Sequence, residues 1–197
     1  MVRGPTWDIA QLFPQQGQWD ETEYLALPVN HLVELSNGYL EFPPMPSPMH
    51  QWIVLFLYKL LDAFAWPKQG MTLVAPLPVR LWPGKIREPD IAFLLNKNRR
   101  RFGKKLWKGA DLVMEVVSPG KESRERDLVT KPKEYAKAGI SEYWIVDPKL
   151  GRITVLSLKG KKYETAGVFQ KGDQAVSPLL PGFSVAVDDV FAEISGM

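Results

Sequence analysis

DLVMEVVSPGKESRERDLVTKPKEYAKAGISEYWIVDP, residues Asp111–Pro148, is the stretch whose reading decides the architecture. Within Asp111–Ser118, Leu112, Val113, Met114, Val116 and Val117 are apolar on both faces of an extended chain, as in a central strand. Lys121–Ala138 reads as a helix and stops at Gly139, a favoured residue just past a helix end. Glu142–Val146 is a second apolar strand. Glu115 stands out in this frame, because a carboxylate among Val113, Met114, Val116 and Val117 is costly to bury without a cation, a donor or solvent.

Upstream of this unit, strands are expected over 71–75, 77–82 and 88–95. The last contains REPDIAFLL, Arg87–Leu95, and carries Asp90. Ser47-Pro48 fits a helix N-cap followed by proline at the first helical position. That helix should run to about Trp66 and is apolar on most faces, so it is expected to be buried across the sheet. His31–Phe42 reads as a hairpin turning at Asn37-Gly38. Asp20–Glu23 opens a short helix ending near Pro28. Downstream, 151–158 and 161–169 form an edge hairpin, and Leu180–Phe191 supplies a last strand or short helix. The order predicts an α/β fold, a mixed sheet flanked by helices. Residues 1–19 read as an extended or loosely docked arm, and 20–197 as one domain.

Net charge is +3, yet KNRRRFGKKLWK, Lys97–Lys108, holds seven Lys or Arg and no acid, so the remainder of the chain stands at −4. Positive charge is therefore concentrated in one segment, the pattern of a local anion site as well as of a solvated loop. Arg99, Arg100, Arg101, Lys104 and Lys105 are its candidate phosphate contacts. With no cysteine, disulfides and thiolate-bound zinc are excluded. His31 and His50 lack zinc-site spacing, and no G-x-G-x-x-G or G-x-S-x-G motif occurs. No leader or membrane-spanning run is read, so a cytoplasmic protein without membrane association is expected.

Asp90 and Glu115 lie on neighbouring expected strands, where hard carboxylate oxygens can share one Mg²⁺. A basic loop beside such a metal would attract a polyanion. Metal-dependent nucleases often place lysine two residues after the strand acid, on the same face, but that position here is Val117. Asp127, Lys131 and Tyr135 are spaced i, i+4, i+8 on one helical stripe, so Lys131 could reach the site from the helix. Pro132 could restart the helix at Thr130 or Lys131, and by spacing alone an Asp127–Lys131 surface pair is favoured over catalysis. Tyr135 and Trp144 read as packing residues, and His50 as a capping or hydrogen-bonding one.

Asp111–Pro148 closely resembles the core of the Uma2 family of endonucleases, within the PD-(D/E)-X-K restriction-endonuclease-like superfamily. VELSNGYLEF (Val33–Phe42), PSPMH (Pro46–His50), REPDIAFLL and LLPGFSVAVDDVF (Leu179–Phe191) extend the resemblance over roughly residues 20–193. It implies a restriction-endonuclease-like fold and Mg²⁺-dependent hydrolysis of DNA phosphodiesters, with Mn²⁺ as an alternative cation. Asp90 and Glu115 match its metal-binding acids, and the Val116 carbonyl would complete the set. Lys131 matches the lysine of a D-x-x-x-K-x-x-x-Y run, and Glu34 the glutamate of the first hairpin. Double-stranded DNA is the expected partner, and double-strand cutting would suit a homodimer. Two other readings stay open: a non-catalytic nucleic-acid-binding module that keeps the fold, and a hydrolase of another phosphate ester.

Overall fold

In the computed structural model, which describes residues 13–27 and 32–192, two sheets are joined through the bend Glu88-Pro89-Asp90. The chain begins with α1 (Glu21–Tyr24), opened by a reciprocal capping box between Asp20 and Glu23. Pro28, His31 and residues 1–12 and 193–197, which include most of the expected arm and the start of the expected hairpin, lie outside the described residues. Strands β1 (Glu34–Ser36) and β2 (Tyr39–Glu41) form the hairpin, with positive φ at Asn37 and Gly38. Gly38 is required twice over, because a Cβ there would sit 2.5 Å from the Gly17 carbonyl oxygen.

The Ser47 hydroxyl accepts the His50 N–H (3.2 Å) and starts α2 (Pro48–Ala65). Ile53, Val54, Leu57, Leu61 and Ala65 bury one face against the larger sheet. The expectation of an almost wholly buried helix is corrected: Trp52, Leu55 and Leu60 are exposed on the other side. Next come β3 (Gly70–Val74), β4 (Val79–Trp82), β5 (Lys85–Arg87) and β6 (Ile91–Leu95). The single strand expected over 88–95 therefore begins later. Pro89 has no N–H to give a ladder, and the chain changes sheets there: β5 pairs with β1 and β4, whereas β6 pairs with β3.

The strand–helix–strand unit follows as expected. It comprises β7 (Leu112–Val116), α3 (Lys121–Glu125), a π-turn over Arg126–Thr130, α4 (Lys131–Lys137) and β8 (Glu142–Asp147). Strands β7 and β8 run parallel, and Gly139 leaves the helix at φ +77°. The edge hairpin is β9 (Arg152–Lys159) and β10 (Lys162–Phe169), and the tail gives β11 (Gln174–Val176), β12 (Ser184–Ala186) and α5 (Val187–Phe191). The larger sheet has the order β10-β9-β8-β7-β6-β3, the smaller β2-β1-β5-β4. Strand alternation divides the core. Ile91, Phe93, Leu112, Met114 and Val116 face α2 and the C-terminal elements, while Ala92, Leu94, Val113 and Val117 face Tyr135 of α4 and Trp107. Glu115 shares the side of Val113 and Val117, and so points at α4.

Candidate functional site

Where the Glu88–Asp90 bend passes the end of β7, the side chains close on a cavity of about 30 Å³, enough for one water or ion. Glu34, Asp90, Glu115, Val116 and Lys131, all expected in the site, line it together. So do Glu88, Asp127, Arg126 and His50, none of which the sequence placed there as a functional group.

Glu115 is buried and fully engaged: its Oε1 accepts the Tyr135 hydroxyl (2.5 Å) and its Oε2 accepts from the Lys131 ammonium (2.8 Å). Lys131 also lies 3.3 Å from Asp127 Oδ1, and both residues are buried. The expected surface pair is thus corrected to an internal one. The π-turn explains the placement. Pro132 cannot donate to the carbonyl four residues back, the preceding turn widens, and the helix resumes at Lys131 with Asp127, Lys131 and Tyr135 all directed at β7. Burial raises the Glu115 carboxyl, Lys131 opposes this, and Asp90 and Asp127 add to the rise, leaving it at about 7. Burial disfavours charge on Lys131, but Glu115, Asp127, Glu34 and Asp90 outweigh it and keep the ammonium protonated.

Asp90 lies opposite this group. Its Oδ2 accepts the Val116 N–H (2.8 Å) and contacts His50 Nε2 (3.1 Å). His50 Nε2 is also 3.1 Å from the Val116 carbonyl oxygen, so the Nε2–H tautomer serves both acceptors, while the buried Nδ1 has no partner among the described residues. Burial works against charge on His50, but the Asp90 hydrogen bond and charge raise its pKa. Glu34 is fully buried on β1 and accepts from Arg87 Nη1 (2.5 Å) and the Glu88 N–H (3.1 Å). Burial alone would raise it, yet Lys131 and Arg87 hold it below the usual carboxylate range. Glu88 has one oxygen 3.3 Å from the Tyr24 hydroxyl and the other buried without a partner among the described residues. Burial, then the Glu34 charge, pushes Glu88 up to about 7.

Five carboxylates therefore share one small cavity with few cations. An excess of hard, partly unsatisfied oxygens is a chemical fit for a divalent cation. Among the described residues, no three Asp, Glu or His side chains gather closely enough to ligate one ion by themselves. A cation bridging Asp90 and Glu115 would complete its shell from the Val116 carbonyl or from water.

The basic segment is elsewhere. It opens as a 3₁₀ turn, Asn96–Arg101, at the end of β6 opposite Asp90, and returns to β7 at the end opposite Glu115. Asp111 pins it by accepting from Asn98 Nδ2 (2.7 Å), Arg101 Nη1 (3.2 Å) and the Leu95 N–H (2.8 Å). At roughly 3.3 Å per strand residue, about 17 Å separates the turn from Asp90. The expectation of a loop beside the acids is corrected: Arg99, Arg100, Arg101, Lys104 and Lys105 do not line the cavity. Lys104 and Lys105 instead flank a shallow depression with Glu21 and Arg80.

Of the residues the sequence did not assign, Asp127 carried a signal, its stripe with Lys131 and Tyr135. His50 carried one too, as the histidine of the PSPMH piece, read as capping or hydrogen-bonding and left out of the catalytic set; Glu88 carried only proximity to Pro89-Asp90.

The family described as "Uma2: Putative restriction endonuclease" matches residues 21–188. Among solved structures, a "putative nuclease belonging to DUF820" from Anabaena variabilis ATCC 29413 is similar at 18% identity and a TM-score of 0.71. The match covers 88% of this chain and 98% of that chain. No curated protein matches. At that identity the solved structure speaks for the fold, a mixed sheet flanked by helices.

Proposed function

The chain belongs to the Uma2 family, and from that premise we propose that it is a Mg²⁺-dependent DNA endonuclease of the PD-(D/E)-X-K kind. The observation that carries this reading is the convergence of Asp90, Glu115, Val116 and Lys131 on one cavity. Asp90, Glu115 and the Val116 carbonyl would hold Mg²⁺, or Mn²⁺ in its place. The bound cation supplies Lewis acidity toward the phosphate and lowers the pKa of water. Tyr135 fixes the Glu115 carboxylate by donating to Oε1, and Asp127 anchors the Lys131 ammonium. Lys131 replaces the strand lysine that Val117 displaces; it orients water and screens charge building on the scissile phosphate. His50 orients Asp90 through its Nε2–H.

One observation favours a second reading, a non-catalytic DNA-binding module. Val117 is committed to the core, and His50 occupies oxygens of both Asp90 and Val116. Nicking of supercoiled plasmid decides between them. Purified protein should nick with Mg²⁺ or Mn²⁺ and not with EDTA, and Glu115→Gln should lower the rate by about 10²-fold or more, as loss of a main electrostatic group does. Binding without nicking in either metal would select the module.

A further inference from the structure

Beside the cavity lies a much larger groove of about 820 Å³, and the two share Pro44, Pro46, His50, Val116 and Ser118 as lining residues. The groove is within the range of about 300–1,000 Å³ typical of ligand sites. Its walls are largely apolar: Pro44, Met45 and Pro46 on one side, Pro119 and Pro148 on the other, with Met49 of α2 between them. Met45 is 81% exposed, the most exposed of the large apolar side chains. Lys121 and Lys149 supply charge at the rim, whereas Arg124 is spent on Asp147 at 2.7 and 3.0 Å.

A paired duplex offers phosphate and sugar to a surface beside the cut, since its base faces are stacked away. Proline and methionine walls gain nothing from phosphate and would desolvate it. They do suit the faces of unpaired bases, which need apolar, polarisable contact and a few cations for the intervening phosphates. The shared walls place such bases next to the phosphate that the proposed metal site would act on. We propose that this groove binds unpaired nucleotides flanking the cleaved bond, so that the substrate strand enters single-stranded or locally opened. The inference rests on the nuclease reading above and specifies its substrate.

The test uses fluorescein-labelled DNA of one sequence as a single strand, a blunt duplex, and a duplex with a short single-stranded flap. Affinity is read by anisotropy in Ca²⁺ and cleavage in Mg²⁺, for wild type and for Met45→Glu, whose site is solvent-exposed. Wild type should prefer the strand or flap over the blunt duplex by about tenfold or more. A preference for the flap over the free strand would identify an opened duplex as the source. Met45→Glu should lose most of that preference with an unchanged melting temperature. Equal cleavage of all three forms, or a preference untouched by Met45→Glu, would overturn the groove assignment and leave the nuclease standing. No metal-dependent cleavage of any form would overturn both.

Discussion

Glu115 joins the chemistry of the site to the stability of the fold. Its carboxyl rises from 4.5 to about 7, with burial the largest cause. Between those values the folded protein keeps a proton that the unfolded chain has released. The stabilisation is complete below about pH 4.5 and is lost as pH rises through about 7. In EDTA at pH 8, Glu115→Gln should therefore melt above wild type, and the gap should shrink toward pH 5. Mg²⁺ should raise the melting temperature of wild type and not of the variant. Thermal denaturation across pH checks both; a variant that melts lower at pH 8 would mean the ionised Glu115–Lys131 pair is net stabilising. Lys131→Met should lower turnover far more than DNA affinity, since one cation is a small part of total binding. Equal losses in kcat and Kd would make Lys131 a binding residue only. Asp90 and Glu115 were legible in the sequence because each sits in a local pattern, an acid after proline and an acid in an apolar strand; Lys131 came from the family resemblance, since its stripe alone favoured a surface pair. His50 was legible as a hydrogen-bonding residue but its partners were not, because Val116 is 66 positions away.

At the scale of elements, a buried ion network holds α4 against the smaller sheet. Arg87 of β5 donates to Glu134 of α4 (2.8 and 3.1 Å) and to Glu34 and Glu41 of the hairpin, and Lys85 adds a 2.7 Å bridge to Glu134. This network sets where α4 sits, and α4 carries Lys131 and Tyr135 to Glu115. Removing one partner of such a group leaves unpaired buried charge, so Arg87→Met should cost about 3–5 kcal/mol in urea unfolding. A loss under about 1 kcal/mol would show that the network does not hold the sheets together. The caps, the Asn37-Gly38 turn and the stop at Gly139 were readable because local backbone chemistry fixes them. The late start of the 88–95 strand and the burial of Asp127 were not, since which sheet a strand joins depends on partners far away in sequence. Exposed Trp52, Leu55 and Leu60 on α2 show the same limit: apolar content around a helix does not reveal which side meets a neighbour.

At the scale of the whole molecule, the basic segment and the candidate acids stand at opposite ends of the β6 and β7 strands. A separation of about 17 Å equals roughly five steps of 3.4 Å along a duplex strand. Arg99 and Arg100, both exposed, are thus placed to touch phosphates remote from the cut. Replacing both with Gln should weaken DNA binding and flatten its dependence on log[salt] by about 0.9 for each phosphate no longer neutralised, with turnover at saturation unchanged. Reduced turnover at saturation would instead place these residues against the reacting phosphate. The concentration of charge and its distance from the acids were both legible: a loop joining two antiparallel neighbours leaves and re-enters at one end, and Asp90 precedes its strand while Glu115 comes late in the next. The cation site itself is reached most directly by anomalous diffraction from crystals soaked in Mn²⁺. The expected result is a peak in contact with Asp90, Glu115 and the Val116 carbonyl. Mn²⁺ bound elsewhere, with this cavity empty in crystals of a protein that cleaves DNA, would contradict it.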